Sequence, residues 1–269
     1  MNKPVTCLTW RHHRMIRPLT IAHTSDVHLI DGDEGENVRV AFTRVVDAVI
    51  EHDADLFLIA GDLFDHNRIH GVVIDFVYAQ LARVTCPTVI ISGNHDNSED
   101  DAVLARMNFG KAGRHVTLID DAEGRVLEFP ELHATVWGRC MENHHPAHRP
   151  MAGAPPRTRD LWHIGMAHGF YVDNWGADRS SLITPAEIAD SGFDYLALGH
   201  VHCHRRMLHG ETLACYAGAP VSYGRDETGC MAIAELNPGA PARVVEYAIG
   251  TRGELAAVSR TVDKIAAVG

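Results

Sequence analysis

Five short apolar runs, each ending in an acid, an amide or an imidazole, constrain this chain more than any other feature. Leu19–His23 gives way to Asp26-Val-His28, and Leu56–Ala60 to Gly61-Asp62. Thr88–Ile91 is followed by Gly93-Asn-His-Asp96, Leu161–Ala167 by His168-Gly169, and Tyr195–Leu198 by Gly199-His-Val-His202. In open α/β sheets, sites form beyond the carboxyl ends of the strands. Residues far apart in sequence are therefore expected in one crevice. Singly, D-x-H and Gly-Asp occur by chance; five such endings in order are hard to explain as five satisfied caps.

The spaces between the runs carry helical patterns. Val38, Ala41, Phe42, Val45, Val46, Val49 and Ile50 recur at helical spacing, so roughly 36–52 is an amphipathic helix. Val73, Ile74, Val77, Leu81 and Val84 give a second helix over 70–84. This βαβαβ rhythm belongs to a sheet buried on both faces. His115–Ile119, Arg125–Phe129 and Ala134–Trp137 are short runs split by turn signals and predict hairpins. Residues 139–160 are Pro-rich and polar and predict a long loop. Thr184-Pro-Ala-Glu187 is a capping box with Pro at N1, opening a short helix that stops near Gly192. Residues 211–249 read as β-rich and 252–267 as a C-terminal helix.

The bulk properties set limits. The first 18 residues have basic side chains but no apolar signal core, so they read as an arm, with Met15 an alternative start. No run reaches the length of a membrane span, and a cytoplasmic setting is expected. The net charge of −11 argues against a generic basic nucleic-acid footprint. It does not exclude a site whose bound cations attract phosphate. The six cysteines form no C-x-x-C and read as reduced thiols.

The donor types say what is bound. Asp26, His28, Asp62, Asn94, His168, His200 and His202 offer oxygen and imidazole but no thiolate. That mixture suits Mn²⁺, Fe or Zn²⁺ better than Ca²⁺. Seven donors exceed the needs of one ion with an open position and match two ions sharing a carboxylate. Two metals about 3.5–4 Å apart clamp an in-line displacement at phosphorus. In extended backbone His200, His202 and His204 would look the same way, and the first two are spaced to serve neighbouring metals.

DVH, AGDLFD, SGNHD, HG and GHVH together resemble the calcineurin-like metallophosphoesterase superfamily, over about residues 19–224. DLFLIAGDLFD looks most like the SbcD-type DNA-repair nuclease branch. The resemblance implies an α/β fold, a four-layer α-β-β-α sandwich of two mixed sheets flanked by helices. It would place a metallophosphoesterase domain at 19–250, after the arm (1–18) and before the C-terminal helix (251–269). It implies that Asp26, His28 and His202 bind one metal, Asn94, His168 and His200 a second, and that Asp62 bridges them. His95 would face the phosphate and protonate the leaving oxygen, with Asp96 orienting it. Mn²⁺ is the first choice of metal. The implied substrate is a phosphodiester, with DNA ends or short oligonucleotides leading; relatives often form homodimers.

Two departures count. The 45 residues after Gly224 leave little room for the DNA-capping region that SbcD-type nucleases carry, which favours a small-molecule phosphodiester such as a cyclic nucleotide. Ala219 replaces a hydroxyl in the turn Tyr216–Pro220, with small expected effect. A non-catalytic scaffold of this fold would have eroded ligands, and these are intact. Asp65 is an even choice between a carboxylate behind the ligands and a helix-approach cap. His66, His70, His204, His144, His145 and His148 are expected as solvated side chains, and His23 as a packed one. Trp137, Trp162 and Trp175 default to packing, and neither Arg179 nor Arg225 is assigned a phosphate.

Overall fold

The computed structural model describes residues 16–99, 101–157, 161–173, 180–222, 224 and 227–256. The arm before residue 16, Trp175, Arg179 and Arg225 lie outside the described residues, as does most of the C-terminal helix, of which 252–256 are helical.

The apolar runs form strands: β1 (Leu19–Thr24), β2 (Leu56–Ala60) and β3 (Thr88–Ile91), with α1 (Glu36–Glu51) and α2 (Gly71–Leu81) between them. After α3 (Val103–Arg106) come β4 (Val116–Ile119), β5 (Arg125–Phe129) and β6 (Ala134–Gly138). Next are β7 (Trp162–His168), the short pair β8 (Phe170–Tyr171) and β9 (Leu182–Ile183), α4 (Pro185–Ser191) and β10 (Tyr195–Gly199). β11 (Arg205–His209), β12 (Thr212–Tyr216), β13 (Thr228–Leu236) and β14 (Arg243–Thr251) complete the set.

They assemble into two mixed six-stranded sheets, ordered β14-β13-β1-β2-β3-β4 and β11-β12-β10-β7-β6-β5. β1 to β4 are parallel neighbours, as are β6, β7, β10 and β12. Side chains of successive strand residues point to opposite faces. Ala22, Phe57, Ile59 and Ile90 therefore pack against α1 and α2, while Ile21, Leu56, Leu58, Val89 and Ile91 meet the second sheet. The outer face of that sheet covers Ile188 of α4 through Leu196, Leu198 and Ala214. Three apolar interfaces thus separate four layers, as the resemblance implies. Both faces of β2 are fully buried, which is why its sequence is continuously apolar rather than alternating.

The predicted series of hairpins is half right. β5 and β6 form an antiparallel pair, but β4 joins β3 in parallel in the first sheet. Short amphipathic runs do not disclose which sheet they enter. The 139–157 stretch carries no helix or strand, and it is anchored where Ser92 Oγ accepts from Met141 N–H at 2.8 Å. The α4 capping box is present in full, and Gly192 ends the helix in left-handed backbone.

Candidate metal centre

All five polar endings meet at the carboxyl edges of the two sheets. Backbone bonds stitch them together. Asp26 N–H donates to the Gly61 carbonyl and His28 N–H to the Asp62 carbonyl, both at 3.1 Å, and Gly169 N–H donates to the Gly199 carbonyl at 3.2 Å. The chain is strained where it presents the donors: Asp26, His28, Asp62 and His200 have φ of 54°, 56°, 52° and 99°. Such conformations cost on the order of 1–3 kcal/mol each and persist only where the surroundings over-determine them. Two glycines permit the close approach. A Cβ on Gly93 would stand 2.1 Å from Asp62 Oδ1, and one on Gly199 2.0 Å from the Ala60 carbonyl oxygen.

The donors fall into two sets. On one side His28 Nε2 and His202 Nε2 are 3.3 Å apart, and His202 Nε2 is 3.6 Å from Asp26 Oδ1. On the other, Asn94 Oδ1 lies 3.1 Å from His168 Nε2 and 2.8 Å from His200 Nδ1. Asp62 Oδ2 stands between, 3.3 Å from His168 Nε2 and 3.9 Å from His28 Nε2. Asp26 also has an atom near each set.

The donors fit divalent cations. Ligands about 2.1 Å from one tetrahedral metal are about 3.4 Å from each other, close to the 3.3 Å between the His28 and His202 nitrogens. The tautomers fit as well. His168 Nδ1 lies 2.9 Å from the Ala60 carbonyl, which only accepts, so the proton is there and Nε2 faces Asn94 and Asp62. Electrostatics point the same way. Burial opposes charge on Asp62, yet facing His168 and His28 hold its carboxyl well below the usual carboxylate range. Burial likewise opposes charge on His168, but Asp62 raises its pKa strongly. Burial, with the adjacent His168 charge for His200, keeps His28 and His200 toward the neutral form that binds metal.

His95 belongs to neither of these two sets, although it, His28 and Asp65 also offer ligand atoms within 4.8 Å of one another. Its ring is edge-on to His28 at 4.6 Å between centroids and is partly open to solvent. Its Nδ1 is 2.8 Å from the Asp65 carbonyl, so Nδ1 carries hydrogen and Nε2 is free to exchange a proton. The expected orienting contact from Asp96 is absent. Asp96 instead accepts from the N–H groups of Leu63 and Gly93 at 2.8 Å, Phe64 at 3.2 Å and Asp62 at 3.3 Å. It follows His95 directly in the chain, but its carboxylate is fully buried beneath the loop, where burial raises its pKa. Asp96 shapes the Gly61–Phe64 turn, and Asp65 holds the imidazoles. Asp65 Oδ1 is also 3.1 Å from His28 Nδ1, behind the ligand face, at ion-pair distance but outside hydrogen-bond geometry, so the carboxylate alternative is the one realised.

The extended reading of 200–204 also needs correction. Positive φ at His200 bends the segment, so His200 turns to Asn94 and His202 to His28. His204 leaves the site, half-buried, with Nδ1 4.0 Å from Cys215 Sγ. Sequence reasoning missed the turn at Tyr216–Pro220 as a brace: Ala219 N–H donates to the His202 carbonyl at 3.0 Å. His23 is buried with Nδ1 2.9 Å from the Tyr195 hydroxyl, as expected. Trp137 and Trp162 are buried, and His70, His144 and His145 are exposed. His66 and His148 are half-buried rather than solvated, and burial lowers the His148 pKa to about 4.

A buried oxygen-and-imidazole centre at the carboxyl edges of two mixed sheets defines a metal-dependent α/β protein. Residues 19–204 match the calcineurin-like phosphoesterase family, and the chain belongs to it. Members of this family are divalent-metal-dependent hydrolases of phosphoester bonds. The chain is 28% identical to the metallophosphoesterase YhaO of Bacillus subtilis (strain 168), over 80% of its own length and 56% of that protein. It is 24% identical to the D component of the nuclease SbcCD of the same organism, over 82% and 67%. The DNA double-strand break repair protein Mre11 of Saccharolobus solfataricus is 24% identical, over 74% and 54%. The chain thus spans between about half and two-thirds of these relatives. The protein TT1561 of Thermus thermophilus shares the fold at a TM-score of 0.56 and 11% identity, covering 86% of this chain and 99% of that one. No helix among the described residues is long and apolar enough to cross a membrane.

Proposed function

We propose that this chain is a two-metal phosphodiesterase acting on nucleic-acid ends or short oligonucleotides. The observation that carries the reading is the pair of donor sets around Asp62 with the more exposed His95 beside them. Asp26, His28 and His202 would hold one cation, Asn94, His168 and His200 the other, and Asp62 both. Mn²⁺ is the metal we assign. When bound, the cations supply an ionised water and neutralise phosphate charge. The chain's own part is positional. His168 is fixed by the Ala60 carbonyl and His28 lies against the Asp65 carboxylate, and His95 offers Nε2 to the leaving oxygen as a proton donor. The similarity to proteins named as the nuclease SbcCD and the repair protein Mre11 supports the nucleic-acid substrate. The proposed catalytic unit is 19–250, in the cytoplasm, with homodimerisation open to a sedimentation measurement.

End-labelled DNA oligonucleotides with Mn²⁺, with His95→Ala alongside, test the reading. Cleavage that the variant loses supports a nuclease. No cleavage by a folded, two-metal protein overturns it in favour of small phosphodiesters, which the net charge of −11 also suits; cyclic nucleotides are then the next substrates.

A further inference from the structure

A cavity of about 440 Å³ opens beside one half of the centre only. Its lining takes in Asp26, His28 and His202 but none of Asn94, His168 and His200. That volume falls in the range of small-ligand sites. Val27, Ile30, Val38 and Val221 give it apolar walls, and the lining carries the carboxylates of Asp26, Glu34 and Asp65 and the guanidinium of Arg252. Arg252 follows β14 and is the one Lys or Arg on that lining among the described residues. Its Nε donates to the Ser222 carbonyl at 2.8 Å, which leaves the terminal nitrogens as a two-pronged fork.

We infer that this cavity is a nucleotide subsite: it takes the nucleoside arm next to the scissile phosphate, and Arg252 binds the neighbouring phosphate. The inference rests on the hydrolytic reading above and names its substrate class. A diester held across both donor sets must extend one arm beyond the His28–His202 side, where the cavity lies. Apolar walls suit a base or sugar ring. Glu34 accepts from a hydroxyl or an exocyclic amine. Arg252 is exposed and commits only Nε to the Ser222 carbonyl, so its terminal nitrogens can take a second anion there. A simple alkyl or aryl diester would use neither charge.

The test compares three substrates with Mn²⁺: a thymidine dinucleotide bearing a 5′-phosphate, the same dinucleotide without it, and methyl p-nitrophenyl phosphate. Arg252→Gln should raise KM about tenfold for the phosphorylated dinucleotide and change the other two less than twofold. Val38→Trp, which fills the cavity, should impair both dinucleotides and spare the small ester. Equal effects on all three substrates, or none, would overturn the subsite while leaving the hydrolytic reading intact. Equilibrium dialysis of thymidine 3′,5′-bisphosphate against the Mn²⁺-loaded His95→Ala protein reads the subsite without turnover. Tenfold weaker binding on adding Arg252→Gln supports it even if no ester is hydrolysed, and unchanged or undetectable binding rejects it.

Discussion

His28 and His95 stack edge to face, yet their surroundings give them different tasks. The Asp65 carboxylate lies 3.1 Å from His28 Nδ1, with His28 Nε2 turned to the donor set, and the Asp65 carbonyl lies 2.8 Å from His95 Nδ1, with His95 Nε2 outside both sets. His95→Ala should therefore retain two metals by elemental analysis and keep its fold, while hydrolysis falls roughly 10²–10⁴-fold. Loss of metal would show that the ring is a ligand. Asp62→Asn removes a carboxylate near both sets and should weaken both metal sites in calorimetric titration; weakening of one alone would move the bridging role to Asp26. His23 adds a residue-scale effect away from the metals. Burial lowers its pKa to about 3, so the unfolded chain binds the extra proton first as pH falls below about 6.5. Stability then drops by roughly 2 kcal/mol between pH 7 and pH 5 through this group. His23→Phe should show a correspondingly flatter acid limb in urea titrations at the two values.

At the scale of elements, the strands are tight and the turns hold the strain. Both Gly93 and Gly199 lie where another part of the site occupies the space of a Cβ. Gly93→Ala should displace Asp62 and cost metal affinity more than its effect on the melting temperature of the metal-free protein. A merely structural glycine would show the reverse. The α4 cap is distant from this chemistry, and Thr184→Ala should lower stability by about 1 kcal/mol with hydrolysis unchanged.

For the whole molecule, the first sheet carries Asp26, Asp62 and Asn94 at its strand ends and the second carries His168 and His200. Metals bound between them would join the two sheets. Chelation should lower the melting temperature, since a ligand held by the folded state alone stabilises it by mass action. The effect should shrink at acid pH, where protons compete for the raised His168 site.

The sequence by itself determined the strands and the donor types. β2 and β3 were legible to the residue, because fully buried parallel strands are continuously apolar. The convergence of Asp26, His28, Asp62, Asn94, His168, His200 and His202 was legible, because each follows closely on such a run. The sequence could not place β4, because a four-residue strand carries no mark of its sheet. It misassigned Asp96 and the face of His204, because side-chain direction beyond a strand depends on backbone angles. Positive φ at Asp26, His28, Asp62 and His200 redirects those side chains. Only the tertiary structure decided which imidazole meets which carboxylate, since contacts across two sheets have no signature along one chain.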